Sequence, residues 1–392
     1  MRIACAGGGP AGLYFAVLMK LWQADSDVTV FERNAAGVTH GWGVIWERRF
    51  LDRLAALDAE SAAQIERQSI HWRDQVIDFR GVQDVNHDNN DTYAISRHRF
   101  VDILATRARR LGVDLRYSHE VRDAAELPDA DLIVAADGVN SLLRDGRGGF
   151  GTNIRTGRNK YAWLGTSKLY DSFNFLFEQT EAGWIWAHAY PHGPTASTFI
   201  VECTPATWAA LGFDAGPARL AIDRLEDIFG KHLNGHPLTS RFPDGSEARW
   251  QNFRTVRNER WHDGRVALVG DSAHTAHFSL GLGTTLAIDD VIALAEQLRT
   301  ARAGASLEPA LAAYQRQRQS ELRVHALIAD RSEAWFENLP RYAVLPPRDF
   351  ATVLYARRAP LLPYLPPSVF CQLNRARERF PAMDALRSRV SR

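Results

Sequence analysis

The chain has 392 residues, of which 45% are hydrophobic and 24% are charged, and its formal net charge is +1. This composition predicts one large globular unit or two closely joined ones, and the balanced charge does not indicate nucleic-acid binding. Cys5, Cys203 and Cys371 lack the spacing of metal ligands or redox pairs, so we predict no metal site and a reduced, cytoplasmic protein. No apolar run is long enough to predict a membrane span, and the apolar start is explained by a first strand rather than a secretory signal.

The amino-terminal segment has the pattern of a strand, a glycine-rich turn and a helix. Residues 3–6 are an apolar run, residues 13–21 have helical composition, and the turn reads Gly7-x-Gly9-x-x-Gly12. In such a turn the first glycine permits the bend, the second lets a pyrophosphate approach the backbone, and the third lets the helix pack on the strand. A second predicted strand ends on Glu32, 20 residues after Gly12, where a carboxylate can accept hydrogen bonds from ribose hydroxyls. The pattern predicts a dinucleotide site, FAD or NAD, with a turn lacking any ligand as the alternative.

A second buried strand is predicted at residues 131–136, and it is followed by Asp137-Gly138. Ligands of open α/β sheets bind at the carboxyl ends of the strands, which is where this dipeptide would lie. The motif continues with Ser141 and Arg144, and Arg144 can either pair with a phosphate or hold the loop in place. For the dipeptide alone, an ordinary turn explains the sequence equally well.

A third apolar run, residues 266–269, places Asp271 to accept hydrogen bonds from ribityl or ribose hydroxyls. Gly281-Leu282-Gly283 then precedes a helix that we predict from Thr284 to residue 298. The positive end of that helix can stabilise negative charge on a reduced flavin ring. Together the three motifs predict a flavoenzyme, whereas an NAD-linked dehydrogenase would explain only the first of them.

The predicted fold is mixed α/β, with a Rossmann-like FAD-binding domain, an inserted antiparallel-sheet substrate domain and C-terminal helices. From residue 160 to 202 aromatic and polar positions alternate, which is typical of antiparallel strands, and one face would line a pocket for a flat ring. Any single aromatic in this stretch is explained as well by an ordinary core position. The predicted boundaries are 1–75, 94–155 and 258–300 for the FAD-binding domain, 76–93 and 156–257 for the substrate domain, and 301–392 for the helical region.

The chain resembles a known family, the single-component FAD-dependent aromatic hydroxylases with the p-hydroxybenzoate hydroxylase fold. The likeness covers most of the chain and is strongest to the subgroup of salicylyl-CoA 5-hydroxylase, 2-aminobenzoyl-CoA monooxygenase and the violacein-pathway indole hydroxylase. Three stretches carry it: RNKYAWLGT at 158–166, STFIVE at 197–202 and GDSAHTAHFS at 270–279.

The resemblance implies tightly bound FAD, transient docking of NAD(P)H without a second dinucleotide fold, and a flavin C4a-hydroperoxide that transfers oxygen from O2 to an electron-rich ring. It adds Arg97 to the expected FAD contacts, although Arg97 is explained equally well as a solvated residue on a helix that starts at Ser96. The predicted FAD-binding residues are Gly7, Gly9, Pro10, Ala11, Gly12, Glu32, Arg33, Arg97, Asp137, Gly138, Arg144, Asp271, Gly281, Leu282, Gly283 and Thr284.

Members of this family often use a base that deprotonates a phenol. His277, beside the flavin loop, is the first candidate, followed by His188 and Tyr161, and for each of them a structural role is an equal alternative. The substrate is expected to be a small aromatic compound, either a CoA thioester or an indole or phenolic intermediate. Acyl-CoA members often carry a further reductase-type domain after the hydroxylase, and we expect none here. This expectation weakens the CoA-thioester interpretation without excluding it, and the oligomeric state stays open.

Two other protein classes compete with this interpretation. Trp184-Ile185-Trp186 resembles the Trp-x-Trp element of flavin-dependent halogenases, although Ala187-His188 follows where those enzymes continue with Ile-Pro. A non-catalytic flavin-binding protein would bind FAD but consume no NAD(P)H.

The carboxyl-terminal segment is rich in arginine, which suits a phosphate-bearing substrate, a solvated helix face or a peripheral membrane contact. These arginines are Arg341, Arg348, Arg357, Arg358, Arg375, Arg377, Arg379, Arg387, Arg389 and Arg392.

Overall fold

The computed structural model describes residues 1–87, 91–215, 218–242, 247–300 and 306–379, and it contains three sheets. The strands are, in chain order, β1 (Arg2–Ala6), β2 (Asp27–Phe31), β3 (Gly43–Glu47), β4 (Ile70–Trp72), β5 (Gln75–Phe79), β6 (Val82–Asn86), β7 (Thr92–Ser96), β8 (Asp114–Arg116), β9 (Leu132–Ala135), β10 (Thr152–Thr166), β11 (Phe173–Thr180), β12 (Gly183–Pro191), β13 (Ser197–Cys203), β14 (Leu238–Thr239), β15 (Gln251–Asn258), β16 (His262–Asp263) and β17 (Val266–Leu268).

Helices cover the sheets and extend beyond them at the carboxyl-terminal side. They are α1 (Pro10–Trp22), α2 (Arg48–Leu57), α3 (Ala59–Gln68), α4 (Arg97–Arg110), α5 (Leu142–Asp145), α6 (Pro205–Ala210), α7 (Ala218–Ile228), α8 (Gly230–Leu233), α9 (Gly283–Leu298), α10 (Glu308–Glu337), α11 (Leu339–Tyr342), α12 (Pro347–Tyr355) and α13 (Pro367–Arg379). None of the helices described is long and apolar enough to cross a membrane.

The first sheet has the strand order β16-β17-β9-β1-β2-β8, and all its neighbours except β16 and β17 pair in parallel. Its central strands are apolar and buried because α1 and α9 pack on the sheet within one large core. Parallel strands end at the same edge, so the loops that follow β1, β9 and β17 converge there. The three predicted motifs lie in those loops, and the predicted α/β fold is confirmed.

The second sheet has the order β14-β10-β13-β12-β11-β5-β6, with β15 also paired to β10. Side chains alternate between its two faces. One face packs on α6, α7 and α8 through an apolar core that includes Phe199. The other face contributes Phe177, Trp184 and Trp186, which pack with the carboxyl-terminal helices. These aromatics are therefore core residues, and the alternation between residues 160 and 202 is confirmed as antiparallel strands.

The strands β5 and β6 belong to the second sheet, although they precede its other strands in the chain. The strands β3, β7 and β4 form a small third sheet. Within the predicted excursion at residues 76–93, most of β5 and all of β6 belong to the second sheet, whereas the start of β7 belongs to the third. Residues 88–90 lie outside the described part of the chain. In the carboxyl-terminal region, residues 380–392 with Arg387, Arg389 and Arg392 also lie outside it.

Candidate active site

Two cavities meet at the carboxyl edge of the first sheet. The loop cavity has a volume of about 310 Å³ and is lined by the segments that follow β1, β2 and β9. The ring cavity has a volume of about 350 Å³ and lies between that edge and the second sheet. Gly9, Arg97, Gly138 and Asp271 line both cavities, so the two form one continuous space.

In the amino-terminal turn there is room for a side chain at Gly9 but not at Gly12. A Cβ placed on Gly9 would meet no heavy atom within 4 Å, and Gly9 lies directly before the first residue of α1. A Cβ on Gly12 would lie 2.1 Å from the Gly7 carbonyl oxygen. The structure therefore places Gly9 on the cavity and Gly12 in the contact between helix and strand. The positive end of α1 faces the loop cavity, as an anion site requires.

The acidic residues of the loop cavity are held by backbone amides. Glu32 accepts hydrogen bonds at Oε2 from the Gly8 amide, at 2.7 Å, and at Oε1 from the Asn34 amide, at 2.8 Å. Asp137 Oδ2 accepts from the amide of Leu142, at 2.9 Å, at the start of α5. Its Oδ1 is buried and has no hydrogen-bond partner among the described residues. Burial raises the pKa of Asp137, although the bonds to its carboxylate oppose the effect.

Arg97 and Asp271 stand where the two cavities join. Burial lowers the pKa of Arg97, with Asp271 and Glu32 acting in the opposite direction, and burial raises the pKa of Asp271, which Arg97 opposes. The Arg97 Nε is buried and has no partner within the described ranges. Asp271 is surrounded by protein atoms yet remains accessible from the cavity. The Arg97 Nε–H donor and the Asp271 carboxylate acceptor thus both lie at the junction of the two cavities with hydrogen-bonding capacity to spare. Arg97 is not the solvated helix residue that the sequence also allowed.

The remaining residues that were predicted to bind the cofactor line different cavities. Pro10, Ala11, Gly281, Gly283 and Thr284 line the ring cavity, so the amino-terminal end of α9 faces that space. Arg33 lines the loop cavity, and Leu282 lines a third cavity behind the glycine loop.

Arg144 lines neither of the two joined cavities. Its buried side chain donates to the carbonyl oxygens of Val139, at 2.9 Å, and Ser272, at 3.3 Å. These bonds tie the loop after β9 to the loop after β17. Of the two roles that the sequence left open, holding the loop matches the geometry.

One wall of the ring cavity is a face of the second sheet. Trp163, Ile200 and His188 are consecutive cross-strand neighbours, and Phe175 continues the row. Tyr190 stacks on Phe173, with ring centroids 5.5 Å apart and planes at 10°. The opposite side includes Phe278, whose ring lies 4.7 Å from that of Tyr161. Burial raises the pKa of the Tyr161 phenol, so it is a neutral donor near pH 7.

His188 lies in this wall with its hydrogen-bonding capacity unused. Neither ring nitrogen has a hydrogen-bond partner in the described structure, and the ring is buried between Phe175, at 5.0 Å, and Phe278, at 5.4 Å. Glu202 Oε2 lies 3.5 Å from His188 Nε2 and accepts a hydrogen bond from the Trp186 indole at 3.1 Å. Burial lowers the pKa of His188 to about 3, with Arg357 adding to the effect, so the imidazole is neutral.

His277 is placed differently, and it does not line the ring cavity. Its Nδ1 lies 2.9 Å from Ser279 Oγ at the start of a short 3₁₀ turn, and its ring packs on Phe253 at 4.9 Å. Burial lowers its pKa to about 4. The geometry does not support His277 as the first candidate base. Its place in the sequence beside Phe278 gave no signal that its side chain is absent from the cavity lining.

Comparison with known proteins identifies the cofactor. The family model described as the FAD binding domain matches residues 1–328. The chain belongs to this FAD-binding family. The residues fit FAD, because Gly9 leaves space for a pyrophosphate, and because the buried Arg97 Nε and Asp137 Oδ1 have spare hydrogen-bonding capacity at the cavity.

Relatives of known activity support the enzyme class. The chain is 38% identical to salicyloyl-CoA 5-hydroxylase of a Streptomyces species over 87% of this chain and 66% of that protein, just under two thirds of its length. It is 31% identical to protodeoxyviolaceinate monooxygenase of Chromobacterium violaceum, over 97% and 100% of the two chains. It is 34% identical to the 3-hydroxy-4-methyl-anthranilyl-[aryl-carrier protein] 5-monooxygenase of Streptosporangium sibiricum, over 87% and 90%.

Solved structures agree on the fold. The 2-methyl-3-hydroxypyridine-5-carboxylic acid oxygenase superposes with a TM-score of 0.69 at 21% identity, covering 94% of this chain and 95% of that one. The chain is an FAD-dependent monooxygenase of the aromatic hydroxylase type. The predicted recognition, enzyme class and cofactor are confirmed, and the halogenase alternative is not favoured.

Proposed function

We propose that this enzyme hydroxylates a small aromatic substrate with O2 and NAD(P)H, and that the substrate ring binds in the ring cavity. The main support for this proposal is that the ring cavity is continuous, at Arg97 and Asp271, with the cavity formed by the loops expected to bind FAD. When bound, FAD supplies the redox chemistry, taking electrons from NAD(P)H and activating dioxygen. The chain's own residues bind the ring, orient it and exclude water.

Exclusion of water is supported by the lining of the cavity. Phe173, Tyr190, Trp163, Ile200 and Phe278 present large apolar surfaces, and the parallel pair Phe173–Tyr190 offers a flat surface for a ring. Such a lining would exclude water from the space beside the bound cofactor. The amino-terminal end of α9 supplies a positive partial charge beside the same space.

We assign orientation of the substrate to His188 rather than to His277. A buried polar group without a partner is costly, so His188 Nδ1, which has no hydrogen-bond partner among the described residues, supports a ligand at this cavity wall. With Glu202 on the Nε2 side, the tautomer that carries its proton on Nε2 is favoured, and Nδ1 is left as the acceptor. A hydroxyl or amino group on the substrate ring can donate to Nδ1, which holds the ring and draws electron density into it. Tyr161, as a neutral phenol, is a second polar group of the same cavity.

The test uses the FAD-loaded protein, which should show the flavin absorbance band at about 450 nm. Salicyloyl-CoA, anthraniloyl-CoA, the matching free acids and simple indoles are offered with NADH or NADPH, and NAD(P)H oxidation is measured together with product mass. Stimulated oxidation with an oxygenated product supports the proposal. A flavoprotein that consumes no NAD(P)H with any of these compounds would support the non-catalytic alternative.

Two further features belong to the same proposal. We place the FAD-binding domain at residues 1–75, 94–155 and 258–300, a proposal supported by the first sheet, whose strands all lie within these ranges. We also propose a cytoplasmic enzyme, because all three cysteines are unpaired and buried and NAD(P)H is an intracellular reductant.

A further inference from the structure

Arg357 belongs to the arginine-rich carboxyl-terminal segment, yet it is buried just after α12. Its guanidinium donates to the Ser332 hydroxyl at 3.2 Å, the Leu354 carbonyl at 2.9 Å and the Ser279 carbonyl at 3.3 Å. The same group lies 5.3 Å from the centroid of the Phe175 ring, whose face attracts a cation. Every nitrogen of the guanidinium thus has a protein acceptor. Arg357 therefore connects parts of the protein and is not left to hold a ligand.

A chain of buried hydroxyl groups leads from Arg357 to His277. Ser332 Oγ lies 2.8 Å from Ser279 Oγ, which lies 2.9 Å from His277 Nδ1. A guanidinium can only donate, which leaves the Ser332 proton for Ser279. The Ser279 proton is then left for His277 Nδ1, which also accepts from the Ser279 amide at 3.4 Å. The hydrogen bonds therefore run in one direction, and we call these four residues the Arg357 clamp.

The clamp encloses a residue of the ring cavity. His277 and Ser279 flank Phe278 in the sequence, and the Ser279 carbonyl is held by Arg357 as well. Phe278 lines the ring cavity, where its ring lies 5.4 Å from that of His188. Because both neighbours of Phe278 are hydrogen-bonded within the clamp, the clamp determines the direction in which this ring enters the cavity.

Arg357 also contacts the opposite wall of the ring cavity from behind. Phe175, which lies against the guanidinium, packs on His188 with ring centroids 5.0 Å apart. His188 belongs to the face of the second sheet, whereas Phe278 belongs to the loop that leads to α9. One guanidinium thus contacts a neighbour of each of these two residues. The relative placement of His188 and Phe278 depends on that bridge.

The type of residue agrees with such a role. Burial of a charge is costly, so an apolar side chain would fill the position of Arg357 at a lower cost. An apolar side chain would, however, make none of the hydrogen bonds to Ser279 and Ser332, and it would leave both hydroxyl groups without a donor from this side. The buried arginine is therefore explained by the elements that it connects.

We propose that Arg357 is a positioning residue for hydroxylation, which fixes the two walls of the ring cavity relative to each other through Ser279 and Phe175. The inference rests on the proposed function, because it concerns the cavity that is assigned to the substrate ring. Ser332 on α10 and Arg357 after α12 give the carboxyl-terminal helices a part in shaping the site.

The first measurement needs no substrate. In the FAD-loaded protein Phe278 is replaced by para-fluorophenylalanine, whose fluorine NMR resonance reports the surroundings of the ring. The intact clamp should give one resonance. Ser332→Ala removes one hydroxyl of the clamp, and Arg357→Met keeps an unbranched side chain but loses every donor, so both should shift or split the resonance. Arg357→Lys keeps the charge beside Phe175 and should give an intermediate effect.

Ser61→Ala is the matched control. Ser61 is a buried helix serine on α3 whose hydroxyl donates to Asp58, and it lines neither the ring cavity nor the loop cavity. This variant should lose stability in urea but keep the resonance of the wild type. An unchanged resonance in both Ser332→Ala and Arg357→Met, or an equal change in Ser61→Ala, would overturn the inference. Ser332→Ala keeps the test valid should Arg357→Met fail to fold.

Turnover then separates positioning from folding. Salicyloyl-CoA, anthraniloyl-CoA and the other compounds of the hydroxylation test are offered, and oxygenated product is divided by NAD(P)H oxidised. This ratio should fall in Ser332→Ala and Arg357→Met with FAD retained, and the kcat for product should fall about 10- to 100-fold, because small displacements of a bound ring are costly. Ser61→Ala should keep the ratio of the wild type.

The outcomes distinguish the clamp from the reaction. A ratio and a kcat equal to those of the wild type in both clamp variants would overturn the positioning role of Arg357. A wild type that oxygenates none of the compounds would instead refute the proposed hydroxylation, whereas the fluorine resonance would still decide whether the clamp directs Phe278.

Discussion

Replacing Gly9 and Gly12 one at a time separates contact with the cofactor from packing of the fold. The two glycines belong to one turn, yet a Cβ on Gly9 would enter open space, whereas a Cβ on Gly12 would lie 2.1 Å from the Gly7 carbonyl oxygen and 3.3 Å from Ala136 Cβ. The backbone of Gly9 is extended, with φ of −77° and ψ of −178°, so alanine fits there without strain. The two substitutions should therefore have opposite consequences.

For Gly9→Ala we expect the apoprotein to keep its stability. Alanine is a poorer helix N-cap than glycine by less than about 1 kcal/mol, and the reduced entropy of the unfolded chain offsets this by about 0.4–1 kcal/mol. FAD affinity should fall, because the new methyl group stands where the pyrophosphate approaches the amides of α1. Loss of one charge-assisted hydrogen bond corresponds to about 10- to 100-fold in Kd.

For Gly12→Ala we expect a loss of about 1–3 kcal/mol or more in the free energy of unfolding, since overpacking forces the helix away from the strand. Urea denaturation of the apoprotein measures stability, and flavin fluorescence during titration measures the Kd for FAD. Wild-type FAD affinity in Gly9→Ala would refute the assignment of that space to the cofactor. An unchanged urea midpoint in Gly12→Ala would refute the packing argument.

Three further predictions concern individual side chains. Arg97→Gln should weaken FAD binding by about tenfold or more, measured by the same titration, because a buried donor at the junction of the cavities is lost; wild-type affinity would place Arg97 outside the cofactor site. His188→Gln should lower turnover about 100-fold with FAD retained, whereas His277→Gln should lower turnover less. Turnover is measured as steady-state NAD(P)H oxidation together with product analysis. A larger loss in His277→Gln than in His188→Gln would restore His277 as the base. His192 is buried and its pKa is lowered to about 4 by burial, so its neutral form stabilises the fold above about pH 6.5 and the stabilisation is lost as the pH falls toward 4. His192→Gln should therefore remove about 1 kcal/mol of the stability difference between pH 7.5 and pH 5.5, and equal losses in the two proteins by urea denaturation would contradict this.

Local patterns in the sequence were sufficient for the elements that hold the cofactor. The strand, turn and helix around Gly7, Gly9 and Gly12 were predicted because apolar periodicity and glycine conformations depend on residues only a few positions apart. The same holds for the strands that precede Asp137 and Asp271, which end in the same edge of one parallel sheet. The resemblance of whole segments added the family, which the comparisons confirm.

The side chains of the ring cavity depended on the tertiary structure. Alternation along β12 predicts that Trp186, His188 and Tyr190 share a face, but only the packing of the sheet decides which of them meets the cavity and which meets the carboxyl-terminal helices. His277 was preferred from its position in the chain, but its side chain caps the 3₁₀ turn and does not line the ring cavity. Arg357 was one of many arginines in a charged tail until the fold buried its guanidinium over the Phe175 ring. Burial and the direction of a side chain arise from contacts between residues far apart in sequence, which is why the sequence by itself determined the cofactor and the loops expected to bind it, and only the folded structure decided which side chains line the cavities.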